Sequence, residues 1–377
     1  MRGCPQDKDP PVQSILSFLM LIIISLFVFI LSGCVSLTWS QEASPLPPHH
    51  TPKGFQNLYR PSERGFADFL RWRFGLGPKE ISPILPEEVP DYRREVVRPA
   101  LQHIKQPDSN QVQITWIGHS TFLIQAEGVN ILTDPIWSNS CGPNSFLKVS
   151  RVVPPGVPFE ELPPIHVVLI SHNHYDHLDA PTVKRLGNGP THFVPLGIAG
   201  WFEKRKIKNT IELDWWQNSS LRGLRFHSVP IQHFSGRSPF DRNETLWSGW
   251  MVETKSAKIF FAGDTGYSPV YKEIGDRFGP IQISIIPIGA YRPRWFMSPV
   301  HVDPPEAIKI LKDTHSQIAI AGHWGTFKLS DEPLGEPPLY LRKAMRENGI
   351  EQGKFIIMKF GETLSFSSEG VLTRVDD

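Results

Sequence analysis

The chain has 377 residues, enough for one large domain or two small ones. Its 39 basic and 38 acidic residues leave a formal charge of +1, so no bulk attraction to nucleic acid is expected. Apolar content is that of a globular protein, 36 prolines and 11 tryptophans point to many loops and large aromatic pockets, and no internal repeat is evident.

From the N-terminus, residues 15–31 form an almost unbroken apolar run after Arg2 and Lys8, closing on Leu31-Ser32-Gly33-Cys34. Small residues before a cysteine resemble a bacterial lipobox, which implies a signal peptide over 1–33, cleavage before Cys34 and lipidation of its thiol. The run is also close to the length that spans a bilayer, so an uncleaved anchor is the other reading. Either way the folded part is expected to be membrane-tethered on the periplasmic or extracytoplasmic side; the sequence does not choose between inner and outer membrane. Cys4 would leave with the signal and Cys34 would carry lipid, leaving Cys141 and no intramolecular disulfide. The lipobox resemblance suggests a bacterium, which would make the sequons Asn218-Ser219-Ser220 and Asn243-Glu244-Thr245 incidental.

Residues 34–61, rich in Pro, Ser, Gln and His without periodicity, read as a flexible spacer after the lipidated cysteine, with His49 and His50 a solvated pair. Residues 62–110 read as an N-terminal extension packing on the domain. Its aromatic and basic stretch 66–74 suits core packing or lipid headgroups equally. The domain itself is assigned to 111–377. Strands are expected at 111–117, 122–125, 129–133, 165–170, 191–195, 210–213, 225–230, 246–253, 258–261, 281–286, 316–321, 354–359 and 363–366. Helices are expected at 198–206, 271–278, 304–312 and 338–348, the third with prolines in its first turn. Two meander halves with interspersed helices suggest an α+β fold of two sheets packed face to face, helices outside.

The strand over 165–170 runs into Ser171-His172-Asn173-His174-Tyr175-Asp176-His177-Leu178-Asp179. In extended backbone, positions i and i+2 point the same way, so His172 and His174 can grip one ion together. Asp176 and His177 come after a turn and can reach a second ion. Imidazole and carboxylate suit zinc, and a pair of ions about 3.5–4 Å apart forms a hydrolytic clamp. One loop supplies too few ligands. His233, Asp264 and His323 each follow a predicted strand, and glycines flank the last two, in Gly263-Asp264-Thr265-Gly266 and Gly322-His323-Trp324-Gly325.

With these residues the chain resembles the metallo-β-lactamase superfamily, and within it the family of N-acylphosphatidylethanolamine-hydrolysing phospholipases D. The closer likeness is carried by Leu162-Pro163-Pro164-Ile165, Glu212-Leu213-Asp214-Trp215-Trp216, Ile286-Pro287-Ile288-Gly289-Ala290-Tyr291, Pro293-Arg294-Trp295-Phe296-Met297 and His323-Trp324-Gly325-Thr326-Phe327, together with the metal loop and 261–267. It spans roughly 116–360. The resemblance implies a four-layer αβ/βα sandwich with its site in a cleft between the halves. It implies one ion on His172, His174 and His233, another on Asp176, His177 and His323, and Asp264 bridging both. Two zinc ions are expected, with iron and manganese open on ligand type.

The reaction implied is attack of a hydroxide, held between the ions, on the phosphodiester of a phospholipid, giving phosphatidic acid and an N-acylethanolamine. Asp264 would orient the nucleophile and take its proton. His301 is read as a proton donor or phosphate contact, or as a structural histidine at a helix start. His119 and Asp134 are read as groups that orient ligand imidazoles. Tyr291, Arg294 and Trp295 are read as cleft lining or as an aromatic core. Two departures separate this chain from the mammalian enzyme: the signal with its lipobox, and residues 234–243. A lactonase or other ester hydrolase is the rival enzyme reading, and a tethered lipid-binding protein with a structural metal the rival outside catalysis. Acyl-chain preference and oligomeric state are not legible.

Overall fold

The computed structural model describes residues 46–59, 64–145, 147–367 and 371–375. The apolar run 15–31 and Cys34, and with them the signal, lipobox and anchor expectations, lie outside the described residues.

One sheet has eight strands in the order Thr210–Leu213, Thr191–Pro195, Val167–Leu169, Val129–Thr133, Thr121–Ala126, Val112–Gly118, Thr363–Phe366 and Leu372–Val375. Its first four strands are mutually parallel and the rest join antiparallel. The other sheet has seven, in the order Asn218–Leu221, Leu224–Val229, Gly249–Glu253, Lys258–Phe261, Ile281–Pro287, Ser316–Gly322 and Phe355–Ile356, antiparallel at first and parallel from Lys258–Phe261 onward.

The period-two pleat decides what each strand face meets. Ile114, Trp116, Phe122, Ile124, Val167, Leu169 and Phe193 pack with Phe226, Trp250, Phe260 and Ile285 in one core between the sheets. Their neighbours Leu123, Leu132, Val168, Ile170 and Val194 point the other way, onto Val183, Ile198 and Phe202 of the helices Ala180–Leu186 and Ala199–Glu203 and the turn before the latter. The helices Val270–Phe278, Pro304–Asp313 and Glu336–Glu347 cover the second sheet, adding Ile274, Ile308, Leu311 and Leu341 to the large core. The result is the four-layer αβ/βα sandwich. Strands buried on both faces carry near-continuous apolar runs, which is why Val129–Thr133 is plain in the sequence.

Two edge strands, Asn218–Leu221 and Leu372–Val375, are additions to the expected set. They are polar and partly solvent-exposed, as edges are. The helix Ala180–Leu186 is a further addition, although Asp179 followed by Ala180-Pro181 carries the start signal. The Asp179 side chain accepts from Thr182 N and proline sits in the first turn.

The spacer reading extends too far. From Pro48 the chain belongs to the same compact unit as the sheets. His49, read as solvated, is buried, its Nε2 2.6 Å from Asp214 Oδ1, and His50 Nε2 lies 2.8 Å from Asp214 Oδ2. A carboxylate far away in sequence takes both imidazoles, an arrangement that local composition does not reveal. Helix Phe66–Arg73 rests on the domain through Trp72, whose ring stacks on Phe296 at 5.1 Å.

Candidate metal centre

Every candidate ligand stands where a strand ends and the chain turns. The loop 171–178 leaves Val167–Leu169; His233, Asp264 and His323 follow Leu224–Val229, Lys258–Phe261 and Ser316–Gly322. The two sheets are tied together here. Ser248 N donates to Ser171 O at 2.8 Å, and His323 N to His119 O at 3.0 Å. A Cβ on Gly263, whose φ is +63°, would meet Ser171 Cβ at 2.6 Å, so only glycine lets the two sheets approach so closely. His119, Asp134 and His323 have φ of +54°, +33° and +55°, unusual for residues with a Cβ and a mark of backbone held against its preference.

The side chains converge in two groups. His172 Nε2 lies 2.8 Å from His174 Nδ1, and His233 Nε2 lies 3.4 Å from the same atom. Ligand atoms on a tetrahedral zinc stand about 3.3 Å apart for bonds near 2.05 Å, so these spacings suit one ion. In the second group, His177 Nε2 lies 3.2 Å from Asp176 Oδ2, and His323 Nε2 3.6 Å from it. Asp264 stands with one oxygen 3.0 Å from His177 Nε2 and the other 3.0 Å from His323 Nε2. Yet His177 Nε2, His323 Nε2 and Asp264 Oδ1 make no hydrogen bond among the described residues. Buried polar atoms left so close without bonding cost free energy unless a cation takes their lone pairs. The donor set therefore fits metal.

The Nδ1 atoms of His172, His177 and His233 are held from behind, whereas His323 Nδ1 has no hydrogen-bond partner among the described residues. A carboxylate only accepts, so His177 Nδ1 donates to Asp134 Oδ2 at 2.7 Å and Nε2 is turned to the centre. Asp134 also accepts from Ser171 N at 2.7 Å and from Ser171 Oγ at 2.6 Å. Ser171 Oγ in turn lies 2.8 Å from His172 Nδ1. His233 Nδ1 donates to Val300 O at 2.9 Å. Asp134 thus orients one imidazole directly and a second through Ser171. His119 does something else: its Nε2 bonds Asp176 Oδ2 at 3.0 Å, orienting a carboxylate and not an imidazole.

Electrostatics differ between the groups. Burial pushes the His172 and His233 imidazoles well down and His174 to about 4, leaving them neutral donors. Burial raises the Asp264 carboxyl, but the imidazoles of His177 and His323 outweigh it and hold the group well below its usual range. Burial likewise opposes a proton on His323, yet Asp264 and Asp176 raise it to about 9. The carboxylates demand positive charge in this pocket.

The centre opens into a cleft of about 490 Å³ whose walls include Trp72, Phe234, Phe296, Arg64, Arg242 and His301. His301 is held among the imidazoles, 5.2 Å from His233 and 5.6 Å from His323 between ring centres. Tyr291, Arg294 and Trp295 do not line this cleft. The Tyr291 hydroxyl is buried and donates to Glu336 Oε1 at 2.7 Å. Arg294 pairs with Glu306 at 2.6 Å and donates to His301 O at 2.8 Å, and the Trp295 ring fills the space over Gly77. They sit behind the wall because the helix Arg294–Met297 turns Phe296 and Met297 toward the cavity instead.

Sequence reasoning missed three supports. Ser171 is the relay just described. Asn57, in the presumed spacer, brackets the His233 backbone, donating to His233 O at 2.8 Å and accepting from His233 N at 3.2 Å. Arg237 clamps the metal loop: Nη1 donates to Asn173 O at 2.8 Å and Leu178 O at 2.9 Å, and the guanidinium lies 3.9 Å over the Tyr175 ring. Arg237→Ala is expected to weaken metal binding about 10- to 100-fold, as loss of ligand support does, with Arg237→Lys recovering part. Competition against a chromophoric chelator measures it; unchanged affinity would confine Arg237 to holding the fold.

A sandwich of this topology, with imidazole and carboxylate groups gathered at its strand ends, is that of a metal-dependent hydrolase. Residues 129–324 match the family described as the beta-lactamase superfamily domain, and the chain belongs to that superfamily. It is 37% identical over 268 residues to N-acyl-phosphatidylethanolamine-hydrolyzing phospholipase D 1 of Caenorhabditis elegans, covering 66% of this chain and 74% of the relative. It is 27% identical over 256 residues to a metal-dependent hydrolase of Methanopyrus kandleri, covering 67% and 99%. Among solved structures, the metallo hydrolase Igni18 of Ignicoccus hospitalis superposes with a TM-score of 0.52 at 22% identity, covering 68% of this chain and 99% of that one, a likeness of fold.

Proposed function

We propose that the protein is a two-zinc phosphodiesterase of the phospholipase D type, releasing an N-acylethanolamine and phosphatidic acid from N-acylphosphatidylethanolamine. The observation that carries this reading is the pair of donor groups, with Asp264 between them, at the floor of a cleft walled by aromatic and cationic side chains. His172, His174 and His233 would hold one ion, and Asp176, His177 and His323 the other. When bound, the ions lower the pKa of a coordinated water and offset charge growing on the reacting oxygens. Asp264, held ionised between the two donor groups, would help hold the ions and would orient the attacking water.

Arg64 and Arg242 are among the residues lining the cleft, and arginine suits recognition of a phosphodiester. Trp72, Phe234 and Phe296 offer an apolar wall to acyl chains. Burial lowers His301 to about 4, so its neutral ring is better placed to contact substrate than to deliver a proton. The name of the Caenorhabditis elegans relative points to the same lipid. We also read 1–33 as a cleaved signal and Cys34 as lipidated, which would keep the enzyme at its substrate's membrane; the mass of the mature chain tests this.

The decisive assay follows purified protein on N-acylphosphatidylethanolamine and on an acyl lactone, before and after chelation and zinc return. N-acylethanolamine release that stops on chelation and resumes with zinc supports the reading. Lactone turnover with an intact phosphodiester overturns it in favour of an ester hydrolase. Activity that survives complete chelation removes the metal from the mechanism.

A further inference from the structure

Glu212-Leu213-Asp214-Trp215-Trp216 carries part of the family likeness, yet none of it lines the catalytic cleft. What Asp214 holds is the N-terminal segment. Neighbouring residues of an extended chain point to opposite sides, so the turn at Pro48-His49 is needed to bring both imidazoles to this one carboxylate. From there His50–Thr51 and Gly54–Phe55 pair as a short antiparallel hairpin. The hairpin is seated on the loop after His233. Phe55 N donates to Asn243 O at 2.8 Å, and a Cβ on Gly54 would meet the same oxygen at 2.1 Å. Phe55 and Leu58 pack against the buried cluster of Trp215, Ile231, Leu246 and Trp247. This seating delivers Asn57 to His233.

His233 stands one residue past Gln232, which still bridges to Gly266. Among the described residues only Asn57 pairs the backbone N–H and C=O of His233, doing for it what a strand partner would. A second route joins the same ends: Trp215 Nε1 donates to Trp247 O at 2.6 Å, and Trp247 Nε1 donates to Asn57 Oδ1 at 3.1 Å. We propose that residues 48–58 form a strap, locked by His49 and His50 on Asp214, whose Asn57 positions His233 for the first ion, so that lock and ion are coupled. The proposal rests on His233 as a metal donor and not on the identity of the substrate. Without the strap the His233 backbone is free to rotate, and Val300 O alone aims its ring. None of the contacts described for Asp176, His177 and His323 involves residues 48–58, so the effect should fall on one ion. Coupling is reciprocal, and filling the first site should in turn seat the strap.

The test is stepwise zinc titration of the full chain against a chromophoric chelator, with His233→Ala marking which ion is the first. His50→Ala is expected to weaken that ion about tenfold and to leave the other unchanged, and Asn57→Ala to weaken it about 10- to 100-fold. His50→Gln, whose amide N–H can still donate to Asp214, should recover most of the loss. If both residues act along one path, His50→Ala with Asn57→Ala loses no more than Asn57→Ala alone. Losses that add overturn the proposal. In the reverse direction, amides over 49–58 of the wild-type chain should exchange about tenfold more slowly with zinc than without, a difference that disappears in Asn57→Ala. Zinc-independent exchange there, or unchanged zinc affinity in His50→Ala, overturns the proposal. Equal weakening of both ions with a matching fall in the urea midpoint overturns it too, since the segment then only stabilises the fold. If His233→Ala itself leaves zinc binding intact, the donor assignment fails and the strap's role with it. A normal His233→Ala result beside an unaffected His50→Ala sinks the strap alone.

Discussion

Asp264→Asn is expected to cut hydrolysis by at least about a thousandfold, the scale of losing a preorganised group at the reacting centre. The wild-type carboxylate presents one oxygen to His177 and the other to His323, each at 3.0 Å, and is almost wholly buried. An amide keeps the shape but removes the negative charge and replaces one acceptor by a donor, which cannot bind a cation. On the two-zinc reading proposed above, metal content should fall from two ions per chain to one or fewer, read by elemental analysis of protein whose circular dichroism is unchanged. The electrostatics point the same way, since burial alone would protonate this carboxyl and only its imidazole neighbours keep it ionised. Retention of both ions and full activity after Asp264→Asn would show that the bridge is misassigned.

Asp134→Ala is expected to be the most damaging change away from the donors themselves. Asp134 is fully buried and satisfies His177 Nδ1, Ser171 N and Ser171 Oγ at once. Removing it leaves those donors without acceptors in the interior, for a stability loss of about 3–5 kcal/mol. Because Ser171 passes the same constraint to His172, both donor groups should loosen, and metal affinity should fall by about 10- to 100-fold. Ser171→Ala separates the two branches. It cuts the relay to His172 and leaves the His177 contact, so it should weaken one ion more than the other. Urea unfolding and stepwise zinc titration measure both effects, and equal loss at the two ions in Ser171→Ala would refute the relay.

The elements read correctly from the sequence are those with a local cause. Thr191–Pro195, Thr210–Leu213, Lys258–Phe261 and Thr363–Phe366 fall where β-branched and aromatic runs end in turn residues. The capped helix Pro304–Asp313 announces itself through Asp303, two prolines and Glu306. The candidate ligands are visible for a related reason. Imidazoles and carboxylates set just beyond strand ends, with glycine beside them, form a pattern that spacing records.

What stays hidden depends on partners far along the chain. The segment 48–59 is polar and proline-rich, and nothing local says that Asp214 will take His49 and His50 or that Asn57 will bracket His233. The sequence leaves Tyr291, Arg294 and Trp295 open between cleft lining and aromatic core, whereas the fold turns Phe296 inward and brings Trp72 from the N-terminal extension to meet it. The sequence by itself determined the layered fold class and the kinds of donor available. Only the tertiary structure decided that the donors meet in two groups around Asp264, that Asp134 and Arg237 hold them, and which aromatic rings face the centre. Element type follows from short-range patterning of side chains, while a site is made of contacts across two sheets, whose distances no run of neighbouring residues encodes.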